Sequence, residues 1–530
     1  MTCHTQMDRR TFLSTSLFTT LLATAACGSR SAASATPTRN YVTTGGSLRG
    51  VLEGGVFAFK GIPYGASTAG QRRFLPPVPP PSWTGVRDAT DMGPQATQVI
   101  GPLPEYFQSL APKDPKLGED CLNLHVWTPG TGSARRPVMV WLHGGGFSVS
   151  SANWPIYNGA HLAQQDIVIV TLNHRLNLFG FLHLADLGVE KYAQSTNLGM
   201  QDITLALKWV HENIAEFNGD PNNVTIFGES GGAAKVSTLM GYAPARGLFH
   251  KAIVQSGSAL TAIPRAQAAK ATEAFLAKLS LKKDDLDQLQ TIDVAQLQAA
   301  MQGDGLGSGP VVDGKMLPTD VFTPRASELG AGVPMLIGSN ATETTGLLPS
   351  VSADEIDDAA LLAAVKQNLP KASDAAAKNV IAAYKSAGLS NREAALHLAA
   401  DVGMRAGVMT QAERKASQNG APVYVYYLNW KTPVAAGKFL SPHTLDLPFV
   451  FDNLEIAKEM IGEGEQQRSL RDRMVGAWTQ FARTGKPGHM GMPEWLPFET
   501  ERRSTMILDN ECRLLKDPER EQRGAIAAAM

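Results

Sequence analysis

The sequence is poor in cysteine and has no excess of either charge. Its 530 residues include four cysteines, which form no Cys-x-x-Cys pair or Cys/His cluster, so the sequence indicates neither a structural zinc site nor a redox site. Lys and Arg number 48, and Asp and Glu number 49, which gives a formal net charge of −1. Because nucleic-acid-binding proteins usually carry a basic stripe or patch, we expect no nucleic acid among the partners of this chain.

Long apolar runs are also absent, apart from one near the N-terminus. Residues 12–26 are nearly uncharged, but at ~1.5 Å per residue this run is too short to cross a bilayer core of about 30 Å. Arg9 and Arg10 precede it, as in export signals of the twin-arginine type. We therefore predict that residues 1–26 are a cleaved export signal, that no segment spans a membrane, and that the mature protein is periplasmic or extracellular.

Two cleavage sites are compatible with this signal. Residues 23–25, Ala-Thr-Ala, offer the small side chains of an ordinary cleavage site. Residues 25–27, Ala-Ala-Cys, resemble a lipoprotein cleavage box, although Thr24 stands where an aliphatic residue is usual, and cleavage there would place a lipid anchor on Cys27. The small polar residues that follow suit a flexible tether. The predicted organisation is a signal at 1–26, a linker at 27–40 and a single domain at 41–530.

Apolar runs typical of buried strands alternate with helical patterns along the rest of the chain. The runs do not alternate polar with apolar residues, as is usual for strands that are buried on both faces. Helical patterns lie between them, and residues 265–302 and 353–418 predict longer helical insertions. This order predicts an α/β fold with a large, mainly parallel mixed sheet covered by helices on both faces. The predicted strands are residues 137–142, 167–172, 224–227, 252–255, 335–338 and 423–427.

A Gly-x-Ser-x-Gly sequence at residues 228–232 is the strongest chemical signal. It follows the predicted strand 224–227 directly, and the residues after it are compatible with a helix. A strand, a sharp turn and a helix raise the central serine above the edge of a sheet, where the helix N-terminus favours negative charge. Gly228 and Gly232 let the strand and the helix approach each other. Ser230 is therefore the candidate nucleophile.

A serine nucleophile also needs a base and donors for the oxyanion. The sequence His-Gly-Gly-Gly-Phe at residues 143–147 follows the predicted strand 137–142. Glycines in such a loop allow backbone N–H groups to face a cavity without obstruction by side chains. We expect Gly145, Gly146 and Gly231 to donate these hydrogen bonds.

These motifs together resemble the type-B carboxylesterase, or cholinesterase-like, family of α/β-hydrolases. The resemblance covers about residues 41–515, and it implies an α/β-hydrolase fold in one catalytic domain, with the helical insertions around the site. The matching segments are residues 59–64, 73–74, 119–124, 173–176, 197–202, 217–232, 478–485 and 503–506.

The resemblance also selects the acid and the base. The acid of the family follows a strand in an Asn-x-x-Glu loop, which here indicates Glu343. The base lies shortly before a Pro-Phe-Val-Phe segment, which indicates His443. The chain order Ser230, Glu343, His443 is that of α/β-hydrolases. In this scheme His443 takes the proton of Ser230, Ser230 attacks the ester carbonyl, and Glu343 orients the imidazole.

The implied function is a serine carboxylesterase that acts on a small-molecule ester through an acyl-enzyme on Ser230. The same residues serve amide, carbamate and lactone hydrolases, and a non-catalytic cholinesterase-like binding protein is a further alternative. We expect no metal and no nucleotide cofactor, because the chain has no Gly-x-Gly-x-x-Gly and Ala215 stands where a zinc-protease pattern needs its second histidine. The low charge favours a neutral or hydrophobic substrate.

Cys121 and Cys512 are the two cysteines of the predicted domain, so at most one disulfide can form within it. In the family, the cysteine that matches Cys121 often pairs with one just after a Gly-Pro-Gln segment, and residues 93–97 contain none. The resemblance therefore implies an unpaired Cys121, while the residues alone leave a Cys121–Cys512 pair open.

Overall fold

A large mixed sheet lies at the centre of the chain. The computed structural model describes residues 36–103, 105–130, 135–301, 306, 309–345 and 355–530, within a unit that extends from Thr36 to Met530. The strands, in chain order, are β1 Thr36–Thr43, β2 Gly46–Glu53, β3 Val56–Pro63, β4 Val86–Asp88, β5 Gln95–Ala96, β6 Leu117–Gly118, β7 Asn123–Thr128, β8 Arg136–Leu142, β9 Val168–Leu172, β10 Gly219–Glu229, β11 Lys251–Gln255, β12 Ile263–Pro264, β13 Val311–Val312, β14 Met335–Asn340, β15 Val423–Leu428, β16 Ser504–Leu508 and β17 Arg513–Lys516.

Thirteen strands of the described residues form the central sheet, in the order β1-β2-β3-β7-β9-β8-β10-β11-β14-β15-β16-β17 with β4 beside β2. Neighbours from β9 to β16 pair in parallel. The outer strands of this order pair antiparallel. The predicted mainly parallel mixed sheet is confirmed, and each predicted strand corresponds to one of its central members.

Helices flank this sheet, and the two predicted helical insertions are confirmed in their described parts. The first contains α5 and α6, and the second contains α7 to α10, with a π-helical turn at Asp401–Arg405 between α9 and α10. The α-helices are α1 Ala160–Ala163, α2 Asn177–Phe181, α3 Leu198–Asn213, α4 Gly231–Leu239, α5 Arg265–Lys278, α6 Val294–Met301, α7 Asp358–Asn368, α8 Asp374–Ser386, α9 Asn391–Ala400, α10 Ala406–Ala416, α11 Leu447–Phe451, α12 Lys458–Ile461, α13 Glu465–Thr484 and α14 Arg520–Ala529.

Alternate side chains of β8 enter different hydrophobic clusters. Val138 and Val140 belong to a cluster that includes residues of α3 and α4. Met139 and Trp141 belong to a second cluster, which includes residues of α11 and α13. Full burial of such side chains contributes roughly 1.5–3 kcal/mol each. Burial on both faces explains why this strand has no polar–apolar alternation in the sequence.

The predicted linker at 27–40 ends earlier than the sequence suggested. β1 begins at Thr36 and pairs antiparallel with β2. Thr38 Oγ1 also accepts a hydrogen bond from Gly50 N at 3.0 Å. Because these contacts satisfy the backbone in a strand, the linker prediction is wrong for residues 36–40.

The described residues contain neither a membrane-spanning helix nor a disulfide. No helix among them has the length and apolar character that crossing a bilayer requires. Cys121 and Cys512 are both free and buried, in different hydrophobic clusters. The pair that the residues left open does not form, and the unpaired Cys121 that the resemblance implied is confirmed. The predicted export signal, together with Cys27, lies outside the described residues.

We expect Gly232→Ala to destabilise the protein strongly. A Cβ atom on Gly232 would overlap the carbonyl oxygen of Leu142, so β8 and α4 would have to move apart. The free energy of unfolding should fall by about 3 kcal/mol or more, measured by urea denaturation. Gly332→Ala is the matched control, because a Cβ there meets no atom within 4 Å, and it should change stability by no more than about 1 kcal/mol. Equal unfolding midpoints for the two variants would contradict this packing.

Candidate active site

Ser230 lies at the turn between β10 and α4. The strand ends at Glu229 and the helix begins at Gly231, so the predicted strand, turn and helix are confirmed. Ser230 has φ 56° and ψ −124°, a conformation that costs a non-glycine residue roughly 1–3 kcal/mol. Its N–H donates to Gln255 O at 2.9 Å, which ties the turn to β11. The strained turn presents the serine at the carboxyl ends of the parallel strands, where α/β proteins bind ligands.

The glycine-rich segment 143–147 packs against this turn. A Cβ on Gly231 would collide with the backbone of Gly146, so the absence of side chains brings the segment and the start of α4 into contact. Gly145 and Gly146 have φ values of 80° and 62°, which glycine adopts without strain. Within the described part of the chain, the N–H groups of Gly145, Gly146 and Gly231 donate to no other residue. Three available backbone donors therefore lie beside the Ser230 turn.

Glu343 and His443 meet directly, although they come from separate loops. His443 Nδ1 donates to Glu343 Oε2 at 2.6 Å, and Asn340 N donates to Glu343 Oε1 at 2.7 Å. Asn340 Nδ2 also donates to Pro442 O at 2.8 Å, which joins the end of β14 to the loop before α11. Glu343 is 2% exposed and His443 is 7% exposed. Both carboxylate oxygens are thus engaged, and the ring orientation is set by a buried acceptor.

One cavity of about 180 Å³ contains both the candidate nucleophile and the candidate base. Ser230 and His443 line it, together with Gly144 and Gly145. A cavity with a largely apolar wall and a few polar groups is typical of a small-molecule site. The apolar and aromatic side chains of the wall are Ile100, Leu103, Tyr106, Phe107, Val149, Trp154 and Tyr157.

The structure brings Ser230 and His443 to the same cavity without a hydrogen bond between them. His443 Nε2 lies 3.2 Å from Glu229 Oε1, and these two atoms do not form a hydrogen bond either. Hydrogen bonds between a nucleophile and its base are often long in ligand-free enzymes and shorten when substrate binds. Of the three residues, Glu343 and His443 are therefore in direct contact, and Ser230 shares a cavity with His443.

Glu229 is a buried carboxylate that the sequence analysis did not single out. It occupies the first variable position of the Gly-x-Ser-x-Gly motif, which carries no chemical requirement of its own. Burial raises the pKa of Glu229 to about 8, against the opposing effect of His443. Burial alone would lower the pKa of His443, but Glu229, Glu343 and Asp446 together raise it to about 9. These carboxylates stabilise the protonated imidazole.

We expect Glu229→Gln to move the acid limb of the pH–rate profile to lower pH. A histidine base must be neutral, so kcat/KM rises as the pH passes through the pKa of His443. The amide removes a negative charge that favours the imidazolium, while Glu343 and Asp446 remain, so this pKa should fall by about one unit. Hydrolysis of p-nitrophenyl acetate across pH measures the shift. An acid limb that stays in place would contradict this charge coupling.

The central sheet, the serine turn and the helices on both faces define an α/β-hydrolase fold. The model of the Carboxylesterase family matches residues 37–525. The para-nitrobenzyl esterase of Bacillus subtilis (strain 168) is 37% identical over 509 residues, which are 92% of this chain and 98% of that protein. A solved PNB esterase structure is 36% identical with a TM-score of 0.78, covering 92% of this chain and 99% of its own.

A further solved structure is an esterase from Clostridium hathewayi that can hydrolyse aliphatic aromatic polyesters. It is 31% identical with a TM-score of 0.80, and the match covers 93% of this chain and 98% of that one. The chain belongs to the carboxylesterase family, and it is a serine hydrolase that cleaves carboxylic esters.

Proposed function

We propose that Ser230, His443 and Glu343 catalyse ester hydrolysis as a triad. The hydrogen bond from His443 Nδ1 to Glu343 Oε2 carries this proposal, because it leaves Nε2 as the nitrogen that accepts a proton. Ser230 Oγ attacks the ester carbonyl as its proton passes to Nε2. His443 then returns this proton to the leaving alcohol, which leaves an acyl-enzyme on Ser230. Water repeats the sequence and releases the acid.

The oxyanion of the tetrahedral intermediate is held by backbone donors. The N–H groups of Gly145, Gly146 and Gly231 donate to no other acceptor among the described residues. Gly231 is also the first residue of α4, so the positive end of the helix dipole adds to their effect. Loss of one such donor costs roughly 10²–10³ in kcat in comparable enzymes.

The preferred substrate is a neutral ester with an aromatic or short aliphatic group. Four aromatic side chains line the cavity, and two of them are tyrosines. Apart from the tyrosines, the ionisable groups that the described residues place in the cavity are Glu229 and His443. The apolar wall disfavours an anionic substrate, because a carboxylate would lose its hydration there. Two relatives, a para-nitrobenzyl esterase and an esterase active on aliphatic aromatic polyesters, support an aromatic preference. The aromatic side chains are Tyr106, Phe107, Trp154 and Tyr157.

A matched pair of substrates tests this preference. We expect benzyl acetate to be hydrolysed with a kcat/KM at least about tenfold above that of 4-carboxybenzyl acetate, since both esters bury the same ring and only the second must also bury a carboxylate, which is unfavourable. Trp154→Ala should raise KM for benzyl acetate more than KM for ethyl acetate. Equal kcat/KM for the two benzyl esters would contradict the proposed substrate class. Amide, carbamate and lactone analogues complete the panel.

Covalent labelling tests the nucleophile independently of any substrate preference. A fluorophosphonate should add to the wild-type chain at Ser230, identified by mass spectrometry of the peptide that contains it. The Ser230→Ala variant should remain unlabelled under the same conditions. Labelling of another serine in the wild-type protein would contradict the assignment.

We also propose that the chain is exported by the twin-arginine route and anchored by lipid at Cys27. The paired Arg9 and Arg10 before the apolar residues 12–26 support export, and the small residues before Cys27 support lipid attachment. Cells grown with labelled palmitate should incorporate the label into the wild-type chain and not into Cys27→Ala. A mature chain that begins at another residue and carries no label would contradict the lipid anchor. Export is tested separately, by cell fractionation of an Arg9→Lys, Arg10→Lys variant, which should no longer be exported.

A further inference from the structure

Lys235 is a fully buried lysine on α4 that the reaction scheme above does not use. Its exposed fraction is 0%. Nζ donates to His143 O at 2.9 Å and to Gly146 O at 2.8 Å, and it lies 5.3 Å from the ring centroid of Phe147. Burying a lysine is costly unless its N–H groups are satisfied, so these contacts compensate for the loss of water. All of them are made to the glycine-rich segment 143–147.

The two carbonyls that Lys235 binds bracket the proposed oxyanion donors. The N–H groups of Gly145 and Gly146 belong to the two peptide units between them. A trans peptide is planar, with its N–H and C=O on opposite sides, so fixing each carbonyl also fixes the direction of its N–H. The carbonyls of the two central units have their own donors. These bonds are His143 Nδ1 to Gly144 O at 3.0 Å, and Ser148 N and Val149 N to Gly145 O at 3.3 and 3.1 Å.

The two histidines near Lys235 are neutral, so Lys235 is the group that can carry a positive charge at this position. Burial lowers the pKa of His143 and of His174 well below the usual range, so both rings are neutral near pH 7. Burial also lowers the pKa of Lys235 to about 7. An ammonium has three N–H groups and an amine has two, so both carbonyls stay bound in either form.

We propose that Lys235 is a positioning residue, which holds the oxyanion loop at both ends and thereby aims the N–H groups of Gly145 and Gly146 at the reacting carbonyl. This inference rests on the proposed oxyanion hole. Lys235 touches no reacting atom itself. Without it, the carbonyls of His143 and Gly146 lose the one side-chain donor that the described residues provide to them, and the glycines between them gain conformational freedom. Transition-state stabilisation should then fall while ground-state binding of the ester is retained.

Lys235→Met tests the role, because methionine has a similar length and no donor. We expect kcat for p-nitrophenyl butyrate to fall about 10²-fold, with KM within about threefold of wild type. The inhibition constant of a trifluoromethyl ketone, which forms a tetrahedral adduct, should weaken by a similar factor. That of the corresponding methyl ketone should change little.

Lys415→Met is the matched control. Lys415 is 1% exposed on α10, and its Nζ donates to Ala331 O at 2.8 Å, in a loop outside the cavity. Burial lowers its pKa as well, to about 8. This variant should lose stability as Lys235→Met does, measured by thermal unfolding, and keep wild-type kcat.

A folded Lys235→Met with wild-type kcat would overturn the inference, and so would an equal loss of kcat in Lys415→Met. If Lys235→Met fails to fold, Lys235→Gln replaces it. The shorter amide reaches one carbonyl at most, so kcat should fall between wild type and a 10²-fold loss, and unchanged kcat and ketone inhibition would overturn the inference. Failure of the proposed function is distinguishable, because Ser230→Ala would then retain activity whatever Lys235 does.

Discussion

Ser230→Ala is expected to abolish ester hydrolysis, with kcat lower by about 10⁶, the loss that removal of the serine causes in a comparable triad. In the proposed mechanism this side chain supplies the oxygen that bonds to the acyl group, and neither His443 nor the backbone donors can replace this bond. The strained turn with φ 56° remains available to alanine at a similar cost, so the fold should persist. Steady-state hydrolysis of p-nitrophenyl acetate measures the loss.

Ser237→Ala is the control for this variant. Ser237 is a buried serine on α4, and its Oγ donates to Gln411 Oε1 at 3.1 Å, away from the cavity. We expect this variant to lose some stability and to keep the turnover of the wild type. Wild-type hydrolysis by Ser230→Ala would show that another residue is the nucleophile, whatever the control does.

Glu343→Gln should lower kcat by about 10⁴, the effect of the corresponding change of acid to amide in another triad. The introduced side chain would offer His443 Nδ1 either an amide N–H, which favours the wrong tautomer, or a neutral oxygen, which stabilises the imidazolium less. It keeps the length of the glutamate and can still accept from Asn340 N, so the loop should be retained. Burst and steady-state kinetics with p-nitrophenyl acetate measure the change.

A second carboxylate variant shows whether the loss is specific. Glu393 lies on α9, where its side chain caps the helix and pairs with Lys431 at 2.6 Å. Glu393→Gln should cost stability by up to about 1 kcal/mol and leave kcat unchanged. A loss below about tenfold in Glu343→Gln would contradict the role of Glu343 in orienting the base.

The central strands could be predicted because burial on both faces leaves a simple pattern. Residues 137–142 and 335–338 are uninterrupted apolar runs, and they became β8 and β14. β10 was harder, since it begins at Gly219, among polar residues that shift its register against β8 before Val224. The start of β1 at Thr36 was missed because its backbone bonds to β2 depend on a partner strand and leave no local signal.

The candidate site also has one part that a local pattern predicts and another that depends on the fold. The serine turn is a local motif, so residues 228–232 identify it on their own. Glu343 and His443 are 113 and 213 residues away from Ser230 in the sequence (343 − 230 and 443 − 230), and only the order of the strands brings their loops together. The family resemblance supplied that information.

Glu229 and Lys235 were not anticipated, for different reasons. Glu229 occupies a variable position of its motif, so the motif does not mark it. Its effect on the pKa of His443 depends on the distant loop that brings His443 next to it. Lys235 did leave a signal, since it is the one charged residue among the small and apolar residues of α4. A lysine inside a buried helix needs acceptors, but only the fold shows that the segment 143–147 provides them.

The most direct test of the central claim is to trap the acyl-enzyme. Wild-type protein mixed with p-nitrophenyl butyrate, quenched in acid within the first turnovers and digested, should yield a butyrylated peptide that contains Ser230, formed at the rate of the p-nitrophenol burst. Rapid hydrolysis with no acyl group on Ser230, or with the acyl group on a different residue, would contradict the account.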